Sequence, residues 1–259
     1  MRKSILKLGL AVFALSPAVS FGQVTPGAGL LGTPHDFAGG NGIATTETVG
    51  LCTFCHTPHK AISTQLLWNH TLSINTFSWD VAKTTAGTTF PSIAGGTYKG
   101  PTAKCLSCHD GSVAVGDIAW FKEEARTGAN ALTTLKMGDI DPKFVIANGA
   151  NMAGNHPVAM PYPAHNAVNT YNGTTTGAAA ALSEWQADPT ALASANIRLF
   201  NDDGTGAITA GVVAGKTGIE CSTCHDPHNK ASRDDWFLRG KAQGSTQGDG
   251  YLCLQCHIK

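Results

Sequence analysis

Charge is scarce in this chain, at 14% of 259 residues, and it is balanced, with 18 basic and 18 acidic side chains. That excludes the basic face that phosphate binding requires, so nucleic acid is not an expected partner. Methionine is rare, with four in all. Beyond the first 15 residues no apolar run approaches the roughly 20 residues that cross a bilayer. No cysteine is spare either: all eight belong to four copies of one pattern.

What is present begins with a leader. Arg2, Lys3 and Lys7 precede an apolar stretch over 5–15, Ser16-Pro17 breaks it, and small residues offer cleavage after Ser20 or Gly22. The pattern predicts a signal peptide over 1–22 and an exported mature chain over 23–259, without a membrane span. No cysteine follows the apolar stretch to carry a lipid anchor. Losing the leader removes three basic residues and no acidic one, which turns the mature surface acidic.

The four copies are Cys52–Cys55–His56, Cys105–Cys108–His109, Cys221–Cys224–His225 and Cys253–Cys256–His257. Cys-x-x-Cys-His is the attachment signature of c-type haem: two thiols bond the porphyrin and the adjoining His becomes the proximal iron ligand. Cys-x-x-Cys pairs also bind zinc, form disulfides or act as thioredoxin-like redox motifs. None of those needs His directly after the second Cys. With 10 His in 259 residues, four such positions arise by chance about twice in a million. The expected cofactors are therefore four haem c groups, covalently held by Cys52, Cys55, Cys105, Cys108, Cys221, Cys224, Cys253 and Cys256. The proximal ligands are His56, His109, His225 and His257.

Four large flat groups in so short a chain would supply much of its core, which suits 42% hydrophobic residues with 30 Gly and 12 Pro. The expected fold class is a multihaem cytochrome c: mostly coil with short α-helices, a haem-packed core and little or no β. Ile118, Phe121 and Ala125 recur at helical spacing and predict a short helix over 117–126, and a second is expected over 177–186. The interval 61–100 reads as loop wrapping haem. An internal repeat is visible. Sites one and three share Cys-x-x-Cys-His-x-Pro-His, and sites two and four share Cys-Leu-x-Cys-His, giving two haem-pair units at about 51–109 and 220–257 within one domain.

A haem that only carries electrons needs a second axial ligand, and six His remain: His35, His59, His70, His156, His165 and His228. They suffice for bis-His ligation throughout; Met137, Met152 and Met160 make His/Met ligation possible but less economical. His59 and His228 each lie three residues after a proximal His, about one helical turn away. So close a neighbour cannot reach the opposite face of the same iron, but it can reach a different haem. His35 and His156 sit in loops, where a lone His is a ligand or a surface group; His70 and His165 are weaker candidates. Asn201–Ile208 begins like a calcium loop but has Val212 where the bidentate Glu belongs, which favours a plain turn. Asn69-His70-Thr71 and Asn172-Gly173-Thr174 fit the glycosylation pattern.

His-Asp-Phe near the start, Cys-His-Thr-Pro-His, Leu67-Trp68-Asn69, Cys-Leu-Ser-Cys-His-Asp-Gly, Asn-His-Pro-Val, Cys-Ser-Thr-Cys-His-Asp-Pro-His and a terminal Cys-Leu-x-Cys-His stand in this order. Together they resemble the tetrahaem doubled-CXXCH cytochromes, and most closely the subunits of extracellular cytochrome filaments of metal-reducing bacteria. The resemblance implies bis-His haems with His35, His59, His156 and His228 as distal ligands. It also implies subunits that polymerise through a cross-subunit ligand, for which His59 is the candidate. The implied partners are other copies of the chain, periplasmic or outer-membrane cytochromes and extracellular electron acceptors. The implied function is electron export at the cell surface; the alternative is a soluble periplasmic shuttle. A reductase of nitrite or another nitrogen oxyanion would need an open iron position. Surplus His and the lack of a Cys-x-x-Cys-Lys variant argue against an enzyme.

Overall fold

The computed structural model describes residues 24–63, 65–163, 168–178, 182–205 and 207–258. The expected leader and His165 lie outside the described residues.

The chain is cut into short pieces by glycine, proline and threonine, and ten of the described pieces pair as strands. Three are two-stranded antiparallel ribbons: β1 (Thr76–Phe77) with β2 (Ile93–Ala94), β3 (Ile118–Phe121) with β4 (Glu124–Arg126), and β6 (Thr170–Tyr171) with β7 (Thr174–Thr175). A four-stranded antiparallel sheet runs in the order β5 (Met160–Pro161), β10 (Thr217–Ile219), β8 (Phe200–Asp202), β9 (Ile208–Ala210). The α-helices are α1 (Pro101–His109), α2 (Met137–Ile140), α3 (Cys221–Cys224) and α4 (Leu252–Cys256).

These sheets correct the expectation of little or no β. Runs of two to four residues are too short to show period-two alternation, so their strand character was hidden in stretches that read as loop. The helix expected over 117–126 is instead the β3–β4 hairpin. Lys122 and Glu123, both at positive φ (48° and 65°), make its two-residue turn. Such turns usually announce themselves with Asn-Gly or Asp-Gly. Here the turn is secured electrostatically: Glu47 accepts from Lys122 at 2.7 Å and from Arg126 at 2.5 Å. Of the stretch 177–186, residues 179–181 lie outside the described set, and Leu182–Glu184 is a single 3-10 turn.

The expected haem-packed core is corrected as well, because the described side chains pack into separate clusters of their own. Phe77, Ile93, Leu106, Ala147, Met152 and Ala159 bury one face of α1 against the β1–β2 ribbon. Val49, Phe54, Val115, Ile118 and Leu132 join the first Cys-x-x-Cys-His segment to β3. Tyr171, Phe200 and Ile208 form a third cluster against the large sheet. Met152 and Met160 are spent as filler, at 1% and 3% exposure.

Two close approaches hold the elements in register. A Cβ on Gly218 of β10 would fall 2.2 Å from the Tyr171 ring, so only glycine admits that ring against the sheet. Glu220, just beyond β10, accepts from the Thr102 amide at 2.8 Å in the first turn of α1, where a carboxylate meets the positive end of the helix. It also accepts from Tyr171 at 2.7 Å and from Tyr98. Thus one buried carboxylate ties the helix of the second segment to the start of the third.

Candidate functional site: four Cys-x-x-Cys-His segments and opposed histidines

In three of the segments the His amide bonds back to the first Cys carbonyl: His56 to Cys52 at 2.8 Å, His225 to Cys221 at 3.0 Å and His257 to Cys253 at 2.9 Å. The second segment is the C-terminal half of α1. One turn separates the two cysteines of each segment, and the backbone leaves the helical conformation at His225 and His257. All eight cysteines are free. Burial pushes the thiols of Cys55, Cys108, Cys224 and Cys256 up to about 12. The neighbouring Cys221 thiol and burial raise Cys105 well above the ordinary thiol range, and the Cys221 amide donates to the Thr102 hydroxyl at 3.2 Å, which sets the second and third segments side by side.

The imidazoles are held through Nδ1. His56 Nδ1 lies 2.6 Å from the Leu66 carbonyl, His109 Nδ1 2.9 Å from Phe144, and His225 Nδ1 2.8 Å from Trp236. His35 Nδ1 meets the Pro227 carbonyl at 3.3 Å, and His156 Nδ1 meets Pro157 at 3.0 Å. A carbonyl at Nδ1 selects the tautomer that leaves Nε2 as the lone-pair nitrogen. Burial lowers His35 to about 4 and lowers His109 and His225 too, keeping them neutral and able to act as ligands.

Three of the four expected distal histidines then stand opposite expected proximal ones. His228 faces His56 with ring centroids 6.0 Å apart and planes 20° apart. His35 faces His109 at 6.2 Å and 51°. His156 faces His257 at 6.5 Å and 75°. With metal–nitrogen bonds of about 2 Å, two imidazoles on opposite sides of one metal have centroids roughly 6 Å apart. His59 and His225 belong to none of these pairs, and His59 is exposed.

The expectation of four haem c cofactors is corrected by the donor geometry. Among the described residues no group of three or more His, Cys, Asp or Glu side chains could hold a metal ion. What the chain brings together is paired imidazoles, and two protein donors do not make a metal centre by themselves.

His70 is a structural residue, 1% exposed, with Nδ1 2.8 Å from the Thr71 carbonyl and Nε2 3.1 Å from that of Ala114. The calcium-like stretch is the turn between β8 and β9, where Asp203 accepts from the Thr205 amide at 2.9 Å.

Several neighbours of the histidines had escaped notice in the sequence. Trp185 packs 4.3 Å from the His257 ring and Phe237 4.9 Å from His35. The carbonyl partners Leu66, Phe144 and Trp236 carry no side-chain signal at all. The one available hint was an apolar cluster ten or eleven residues after His56 and His225.

No family model matches the chain, and no curated protein matches it.

Proposed function

We propose that this chain is an electron-transfer protein, exported and assembled into extracellular filaments. The observation that supports the reading is the set of three opposed imidazole pairs, each with a Cys-x-x-Cys segment beside it. In this reading the pairs bring different segments against one another, and the contact between Cys105 and Cys221 holds the second and third side by side, the close spacing that electron exchange needs. The likeness to the doubled Cys-x-x-Cys-His family points the same way.

Assembly rests on the two histidines outside the pairs. His225 offers a neutral imidazole beside the third segment, and His59 stands exposed three residues after His56. His59 of one copy meeting His225 of the next would complete a fourth pair and repeat head to tail, an arrangement that generates a filament when it does not close. Electron microscopy of secreted protein tests this. Filaments that disappear in His59→Ala support it; dispersed monomers from the unaltered chain would instead favour a soluble periplasmic shuttle.

A further inference from the structure

The first and third segments carry an identical backbone device that their sequences do not share. Leu66 and Leu67 are consecutive residues at positive φ (61° and 50°), and so are Trp236 and Phe237 (61° and 60°). In each case the first carbonyl of the pair takes the histidine: Leu66 at 2.6 Å from His56 Nδ1, Trp236 at 2.8 Å from His225 Nδ1. The second carbonyl accepts the amide just after the histidine, Thr57 to Leu67 at 2.9 Å and Asp226 to Phe237 at 2.7 Å. Two residues on, an amide bonds back to the second cysteine: Asn69 to Cys55 at 2.9 Å and Arg239 to Cys224 at 2.8 Å. His56 bridges Trp68, and His225 bridges Leu238. The second segment has no such device, since Phe144 belongs to a 3-10 turn.

Left-handed backbone is costly for residues with a Cβ, and two in a row at Leu-Leu and Trp-Phe are strained positions that the surroundings must over-determine. Core filling does not explain the tips, because Leu66, Leu67 and Trp236 are 61%, 46% and 56% exposed and only Phe237, at 8%, is buried. What the strained pair achieves is placement of two successive carbonyls, one on the ring and one on the backbone beside it.

We propose that Leu66 and Trp236 are positioning residues: each heads a left-handed strap that sets the rotation and tautomer of His56 or His225, so that Nε2 alone is presented to the redox centre. The strap's side-chain contact with the segment is through the imidazole; its other bonds, to the amide after the histidine and to the second cysteine's carbonyl, are to backbone. The proposal rests on the electron-transfer reading for its consequence, though not for its geometry. A carbonyl at Nδ1 makes the imidazole a stronger donor at Nε2, so loosening one strap shifts the properties of one centre only.

The test uses the intact exported protein with Leu66→Gly, Leu66→Pro, Trp236→Gly and Trp236→Pro. Glycine keeps positive φ at no steric cost, whereas proline holds φ near about −65° and abolishes the strap. Two readouts are followed: exchange with water of the Nδ1 protons of His56 and His225 by NMR, and the midpoint potential of each centre. Glycine variants are expected to keep both. Each proline variant is expected to speed exchange of its own histidine's proton about tenfold, as loss of one hydrogen bond allows, and to shift that centre alone, with His109 unchanged. Should a proline variant fail to fold, Leu66→Val or Trp236→Val provides the milder disruption, since branched side chains tolerate positive φ poorly. A folded proline or valine variant with both readouts unchanged overturns the proposal, as do glycine variants that behave like the proline ones. Absence of any redox signal from the unsubstituted protein sinks the electron-transfer reading, while the proton exchange still decides the strap.

Discussion

His228 stands opposite His56, rings 6.0 Å apart and nearly parallel, so the histidine three residues after the third Cys-x-x-Cys-His segment lies against the first. On the electron-transfer reading, His228→Met should displace the one redox step that depends on this pair and leave the others in place. Potentiometric titration checks this.

Gly218→Ala should destabilise the protein by about 1–3 kcal/mol through overpacking against Tyr171, whose ring lies 2.2 Å from the added carbon. Chemical denaturation measures it. Tyr171→Leu in the same background should recover part of the loss, since the clash is with that ring.

Glu220 gives a pH dependence. Burial raises its folded pKa above the ordinary 4.5, against the opposing pull of its hydrogen bonds. An acid that is raised on folding holds its proton more tightly folded than unfolded. Its contribution is therefore full below about pH 4.5 and is lost as pH rises from there through the folded value. Glu220→Gln should flatten this part of the stability profile, as followed by denaturation across the acid-to-neutral range.

Arg239 is buried beside Asp226, with Nη2 3.5 Å from Oδ1, while its Nε donates to the carbonyls of Ser222 at 3.0 Å and His225 at 3.2 Å. Arg239→Ala removes the counter-charge of Asp226, which keeps amide donors at Lys230 and Ala231, and takes a donor from two carbonyls around the third segment. A loss of about 3–5 kcal/mol is expected on thermal or chemical unfolding, with the first segment's histidine pair perturbed through His228.

The placement of one histidine was more legible than the architecture. The three-residue offset of His228 from His225 pointed it toward a different segment, and the structure sets it against His56 of the first. The hairpin at Lys122-Glu123 was not legible, because charged side chains, and no Asn-Gly, occupy its left-handed turn, with Glu47 far off in sequence securing it. The strands escaped because two residues of Thr and an aromatic carry no period. The straps escaped for a different reason: their working atoms are backbone carbonyls, and Leu-Leu and Trp-Phe advertise burial, whereas the structure leaves three of the four tips exposed.

The most direct test of the central claim is a reductive titration of the purified protein followed in solution. The account predicts reversible uptake of several electrons per chain, with one step displaced in His228→Met. A protein that takes up no electrons reversibly, and whose eight cysteines all react as ordinary thiols, would contradict it.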